Sequence, residues 1–161
     1  MRFIVLMVTI ILLGASPQKG PGLREQKGPI HITSDRMEAD YGNRIITFTG
    51  GVVAKKGEFT LQSRVLRVFL EKEGEGIERL VAEGEVHIDQ GERRAVCSKA
   101  TYYYKEGKVV LEGHPMVWQG DDRLRGWKIV FFVNEDKAIA EGKGEERVRL
   151  TIVSTERRRE E

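Results

Sequence analysis

The sequence from Ile45 to Gly57 reads IITFTGGVVAKKG, and this stretch predicts the structural unit on which the whole chain is built. Apolar residues recur along it at every second position: Ile46, Phe48, Val52 and Ala54. Threonines take positions 47 and 49 between them. Such alternation is typical of a β-strand with one buried and one solvent-facing side. The glycine pair predicts a bulge or sharp bend in this strand, because glycine tolerates backbone angles that side chains forbid.

Similar units recur around glycines at a nearly regular spacing. Gly50, Gly84, Gly113 and Gly142 lie 34, 29 and 29 residues apart. An apolar strand and a short polar turn precede each of them, with turns at 41–44, 72–76, 105–107 and 134–136. This self-similarity predicts a repeating architecture in which each repeat is a strand, a turn and a strand bent at glycine.

The fold class follows from these repeats and from the missing helical pattern. No window of useful length has apolar residues at the i, i+3, i+4, i+7 spacing of an amphipathic helix. Many short strands with turns between them predict an all-β barrel, sandwich or jelly roll. A rolled stack of repeats is also possible, and its unpaired terminal strands would invite another chain.

The composition narrows the classes of function. The 27 basic and 25 acidic residues are mixed along the 161 residues, and the net charge is +2. Outside the C-terminal tail the sequence has no dense basic segment, so it does not predict a nucleic-acid partner. Cys97 is the single cysteine, which rules out an intramolecular disulfide and a cysteine-rich metal site. Its place in a strand-like segment predicts a small buried filler.

No catalytic constellation stands out in the sequence. His31, His87 and His114 are not at metal-ligand spacing, and the first two alternate with apolar residues, which predicts surface positions. No nucleophile elbow or phosphate-binding loop is present. We therefore expect a binding protein that is not an enzyme and holds no cofactor or metal.

The N-terminus predicts export from the cytoplasm. Arg2 precedes an apolar run over 3–13, and the small residues 14–16 follow it. The run is shorter than the roughly 20 residues that cross a bilayer, so we interpret 1–16 as a cleaved signal peptide; an uncut membrane anchor is the alternative. Residues 17–28 are predicted to be a flexible linker, 29–154 the folded domain and 155–161 a charged tail.

Several of these segments resemble a known family. The opening segments PIHITSD at 29–35 and ITFTGGVV at 46–53 resemble the start of the LptA/OstA-like family of periplasmic lipopolysaccharide-transport proteins. The later segments VVLEG at 109–113 and LRGWKI at 124–129 are similar to its third and fourth repeats. The resemblance covers 29–152 and implies a twisted antiparallel β-jelly roll, open at both ends.

The resemblance also implies a function, a location and partners. It implies a periplasmic protein that binds lipopolysaccharide, assembles end to end as a homo-oligomer and bridges the inner and outer membranes. Its partners would be an inner-membrane-anchored protein and an outer-membrane translocon that carry the same fold. Two alternatives remain: the membrane-anchored relative itself, or a structural β-repeat protein with a filled core and no ligand.

Alternation and resemblance together predict which residues line the interior and contact the lipid acyl chains. These candidate residues are Ile30, Ile32, Phe48, Val52, Phe59, Leu61, Leu66, Val68, Ile88, Tyr102, Tyr104, Leu111 and Phe131.

Overall fold

The chain folds into twelve β-strands, without a helix, over the residues that the computed structural model describes, 28–73 and 76–153. The predicted signal peptide at 1–16 and the predicted tail at 155–161 lie outside these residues, as does all of the predicted linker except its last residue. In the described part of the chain, no helix is long and apolar enough to span a membrane. The predicted all-β class is confirmed.

The strands follow one another with short connections. They are β1 (His31–Thr33), β2 (Arg36–Asp40), β3 (Ile45–Lys56), β4 (Phe59–Leu70), β5 (Ile77–Gln90), β6 (Arg93–Tyr103), β7 (Lys108–Glu112), β8 (Met116–Gln119), β9 (Asp122–Arg125), β10 (Lys128–Phe132), β11 (Lys137–Glu141) and β12 (Arg149–Thr151).

All strand pairs are antiparallel and belong to one hydrogen-bonded sheet, which is bent into two halves. In half-sheet A the order is β2-β3-β4-β5-β6-β7-β10-β11, and in half-sheet B it is β1-β3-β4-β5-β6-β8-β9-β12. The long strands β3 to β6 run through both halves. Consecutive shorter strands belong to different halves: β7, for example, lies in half-sheet A and β8 in half-sheet B.

The bend passes through three of the four predicted glycines; Gly142, the fourth, has no positive φ and follows the end of β11. The pairing register shifts between Thr49 and Val52 in β3 and between Glu83 and Val86 in β5. Gly50, Gly84 and Gly113 have positive φ angles of 85°, 84° and 78° at these bends, which glycine adopts without strain. The predicted bulge at the first glycine pair is therefore confirmed, and it repeats along the sheet.

Both ends of the bent sheet are open. The strands β1 and β2 pair only with β3, β11 pairs only with β10, and β12 pairs only with β9. Each therefore leaves one row of backbone groups without a partner strand in the described part of the chain. The predicted jelly roll that is open at both ends is confirmed.

The hydrophobic core lies between the two halves. The cluster includes Val52, Val86, Leu111 and Ile129, each with no more than 1% of its surface exposed. Cys97 belongs to the same cluster, as predicted for a buried filler, and burial raises the pKa of its thiol to about 12. The core therefore binds the halves together along the inner side of the bend.

The bend at Gly113 offers a direct test of the architecture. A Cβ added there would overlap the Ser98 side chain on the neighbouring strand. Gly113→Ala should therefore lower the free energy of unfolding by about 3 kcal/mol, since it combines a strained φ with a steric overlap. Urea denaturation measures the loss.

The matched control is Gly120→Ala, in a turn where φ is also positive but an added Cβ would meet open space. This change should cost about 1 kcal/mol, from backbone strain alone. Ser98→Gly should restore part of the stability of the Gly113→Ala variant. Equal losses at the two glycines would show that the close approach at the bend does not matter.

Candidate functional site

The inner faces of the two half-sheets carry continuous rows of apolar side chains. Residues directly opposite each other on paired strands point to the same face, so the pairing register defines each row. The first row of half-sheet A is Met37, Phe48, Leu66, Ala82, Ala100, Leu111, Ile129 and Ala140. Its second row is Ala39, Ile46, Val68, Leu80, Tyr102, Val109, Phe131 and Ala138.

Half-sheet B carries a similar row, opposite the first two. It is Ile32, Ala54, Leu61, Ile88, Ala95, Val117, Leu124 and Leu150. Every strand of each half contributes one residue to each row, and none of these residues is charged. The interior is thus apolar from one open edge of the sheet to the other.

Most of the candidate residues predicted from the sequence lie in these rows. They are Ile32, Phe48, Leu61, Leu66, Val68, Ile88, Tyr102, Leu111 and Phe131. Val52 belongs to the core cluster, and Phe59 packs against it. The Tyr104 ring lies 4.5 Å from the Tyr102 ring, measured between centroids. Ile30 precedes β1 and is 40% exposed, so it sits at the open edge.

The middle of the interior is filled. Val86, Leu111 and Ile129 come from both halves and are almost completely inaccessible to solvent. Side chains therefore occupy the space between the halves at this point, as in an ordinary protein core.

A cavity of about 300 Å³ opens between the halves nearer the C-terminal edge. Half-sheet B contributes Val117, Leu124 and Leu150 to its wall, and half-sheet A contributes Phe131 and Ala138. This volume lies at the lower end of the roughly 300–1,000 Å³ that is usual for ligand pockets. The cavity is therefore large enough for part of one apolar chain but too small for several chains.

The sequence-based candidates did not include several aliphatic residues that line the cavity: Ala95, Val117, Leu124, Ala138, Leu150 and Ile152. A signal was present for Leu124, which lies between Arg123 and Arg125 in β9, but not for Val117, whose neighbours Met116 and Trp118 in β8 are both apolar. These strands have only four residues each, which is too short for alternation to be conclusive.

The cavity lining also includes a polar row. Arg93, Gln119 and Asp122 are successive cross-strand partners on the inward side of β6, β8 and β9, and all three line the cavity. Asp122 Oδ1 accepts a hydrogen bond of 2.9 Å from the backbone N–H of Val153. On the outward side of the same strands, the Arg94 guanidinium lies 5.2 Å from the centroid of the Trp118 ring. An apolar wall with a polar row beside it matches the two parts of an amphiphilic molecule.

The apolar rows end in exposed side chains at both edges. Met37 on β2 is 58% exposed, and Leu150 on β12 is 59% exposed. Beyond the last strand, Ile152 is 68% exposed. Among the residues that the structure describes, each edge therefore combines backbone groups without a partner strand and apolar side chains that continue the inner face.

The histidines occupy the surface, as predicted. His31, His87 and His114 are all exposed, and His114 Nδ1 lies 2.9 Å from Glu146 Oε1. Among the described residues, no three side chains of the metal-ligating types come together in a possible metal site.

Comparisons with known proteins identify relatives of this fold. Residues 31–137 match the family model described as LptA/(LptD N-terminal domain) LPS transport protein. The structure is similar to that of LptH, the LptA-homologous periplasmic component of the conserved lipopolysaccharide transport device from Pseudomonas aeruginosa. The TM-score is 0.70 and the sequence identity 22%, over 83% of this chain and 100% of LptH, so the likeness shows a shared fold. No curated protein sequence matches the chain significantly.

Two buried alanines test whether the cavity is empty space. Both belong to the core cluster and are 6% exposed, but Ala95 lines the cavity and Ala100 does not. Ala95→Leu should change the free energy of unfolding by less than about 1 kcal/mol, because the added carbons enter the cavity. Ala100→Leu should lower the free energy of unfolding by about 1–3 kcal/mol, because it overpacks the core. Thermal or urea denaturation measures both, and equal destabilisation would contradict the cavity.

Proposed function

The chain belongs to the LptA/LptD N-terminal domain family of lipopolysaccharide transport proteins, and from that premise we propose that it carries lipopolysaccharide through the periplasm, with lipid acyl chains held between its two half-sheets. In this role the protein binds and transfers its cargo, without catalysis and without a cofactor.

One observation carries the proposal: three apolar rows run from edge to edge of the inner faces without a charged residue. A globular protein of this size needs a buried core, but it does not need that core to reach the surface at two opposite edges. Acyl chains laid along these rows would lose contact with water, at about 25 cal/mol for each Å² of apolar surface buried.

The candidate lipid-contacting residues are those predicted from the sequence, with Val117, Leu124 and Leu150 added at the C-terminal cavity. The packed middle must open to admit chains there. The strand ladders join the halves only along the bend, so we infer that the halves separate by flexing at the glycine bends. The C-terminal cavity would accept a chain first, because it already holds space.

The open edges support assembly from end to end. An edge of β1 and β2 on one copy can meet the edge of β11 and β12 on the next, and such a contact between different surfaces does not close on itself. The exposed Met37 and Leu150 would then be covered. The same edges suit partners of the same fold: an inner-membrane-anchored protein on one side and an outer-membrane translocon on the other.

A protein that works in the periplasm must first be exported from the cytoplasm. We propose that residues 1–16 are a cleaved signal peptide, that 17–28 link it to the domain and that 155–161 form a charged tail. N-terminal sequencing of the exported protein tests the cleavage. An intact N-terminus would favour the membrane-anchored relative of this fold.

The packed middle favours one other candidate function, a structural β-repeat protein without a ligand. Co-purification separates the two. The domain, produced in a periplasm that contains lipopolysaccharide, should retain glycolipid through purification if it is a carrier, and none if its core is simply filled.

A photo-crosslinking residue in β1 should distinguish the inner face from the outer face. At Ile32, which belongs to the inner row, it should label lipopolysaccharide; at the neighbouring Thr33, whose side chain points outward, it should not. Immunoblotting for lipopolysaccharide detects the adduct. Labelling from both positions, or from neither in a folded protein, would contradict an interior binding site.

The mature protein should also self-associate without a fixed end point. Sedimentation velocity over a wide concentration range should resolve a growing series of species. Leu150→Lys should stop this growth, because it places a charge in the inner row at the open edge, whereas Thr151→Lys on the opposite face of the same strand should be tolerated. A single dimer at every concentration would rule out end-to-end assembly.

A further inference from the structure

A basic surface lies on the outer side of the strands that form one wall of the C-terminal cavity. The outward-facing residues of β8, β9 and β12 are Met116, Trp118, Arg123, Arg125, Arg149 and Thr151, so this part of half-sheet B presents three arginines and no acid. Arg94 on β6 lies directly opposite Trp118 and extends the surface. We call Arg94, Arg123, Arg125 and Arg149 the arginine patch.

The arginine patch contains an unfavourable contact. Arg125 and Arg149 are direct cross-strand partners, and like charges in such positions destabilise a sheet. All four arginines are exposed. In the described part of the chain, Arg123, Arg125 and Arg149 take part in no ion pair. A bound anion would turn this repulsion into attraction.

Two acids on or next to the strands that carry the patch do not neutralise it. Asp122 follows the turn that leads into β9, and one of its carboxylate oxygens already accepts the Val153 N–H. Asp89 is the cross-strand partner of Arg94 on β5, at the far side of the patch from Arg149. Within the described residues, the patch therefore keeps a net positive charge.

The patch and the cavity meet at the open edge of half-sheet B. Leu150 of the edge strand β12 lines the cavity, and its neighbour Arg149 faces the outer side of the same strand. A ligand with an acyl chain in the cavity would therefore bring its head group around this edge to Arg149 and its cross-strand partner Arg125. Guanidinium groups suit phosphate in particular, because their planar donors can bind its oxygens in pairs.

We propose that the arginine patch is the binding site for the phosphate groups of an acylated glycolipid, one acyl chain of which occupies the C-terminal cavity. The identity of this head group rests on the proposed lipopolysaccharide cargo. A nucleic acid or an acidic protein would use the charge but not the cavity, and a membrane surface would keep its acyl chains in the bilayer. Only an anionic amphiphile taken out of the bilayer uses both features.

The test is isothermal titration calorimetry of the full exported chain with two soluble probes, each below its critical micelle concentration. Dodecyl phosphate and dodecyl maltoside have the same alkyl chain and differ in head-group charge. The parent protein should bind dodecyl phosphate about tenfold more tightly, which corresponds to two exposed charge-assisted contacts. Equal affinities, or no binding of either probe, would overturn the proposal.

The variant Arg125→Gln/Arg149→Gln should lose most of this preference. Its control, Lys55→Gln/Lys72→Gln, removes the same charge from exposed positions away from the patch and should keep the preference. A similar loss in both variants would attribute the effect to net charge alone. Without ligand, the arginine variant should melt no lower than the parent, because a repulsive pair is removed; a lower melting temperature would show a structural role instead.

Two further outcomes separate this site from the proposed function. If glycolipid co-purifies with the protein but the dodecyl phosphate preference is absent, the patch is not the phosphate site, although the transport function stands. If the preference is present and depends on the arginines but no glycolipid co-purifies, the site stands and its cargo is another phosphorylated amphiphile. Arginine-dependent binding of phosphatidylglycerol vesicles without the preference would identify a membrane-docking surface and overturn the proposal.

Discussion

The bend in the sheet is the constraint on which the rest of this structure depends. At each bend two strands approach so closely that one of them has no room for a side chain: Gly50 faces Asp35, Gly84 faces Arg64 and Gly113 faces Ser98. Backbone hydrogen bonds hold two of these contacts, from Asp35 N to Gly50 O and from Ser98 N to Gly113 O. Because the sheet folds back here, its two inner faces meet and bury a core that a flat sheet of this size would expose.

The bend also explains how far the sequence could predict the fold. In β3 and β5 the extra glycine preserves the alternation, so Phe48 and Val52 both point inward at even spacing, as the sequence indicated. In β4 and β6 no glycine marks the bend, and the alternation slips by one residue. Leu61 and Leu66 are five positions apart, yet both point inward, so a strict period of two would place one of them outside. The cavity and the arginine patch were not predictable, because both combine strands that are distant in sequence.

Burial on the outer face shows why apolar character alone does not identify an inner residue. Val81, Val110 and Val130 are each 8% exposed, but they belong to an outward-facing row of half-sheet A. The adjacent outward-facing row carries long side chains, whose apolar stems can cover neighbouring surface. The Arg79 guanidinium lies 4.1 Å from the centroid of the Phe69 ring, and Lys108 and Lys137 stack on Tyr103 and Phe132 in the same row. The outer surface thus remains polar over an apolar layer.

The interrupted strands have a mechanical consequence. The four strands β3 to β6 cross the bend without a break, whereas β7 and β8, β9 and β10, and β11 and β12 are separate on its two sides. Bending stiffness therefore falls from the middle of the molecule toward its C-terminal edge, which is also where the cavity lies. In a row of such units, flexible C-terminal parts would alternate with more rigid central parts. The flexibility of the whole row would then be set mainly by the parts in which the strands are interrupted.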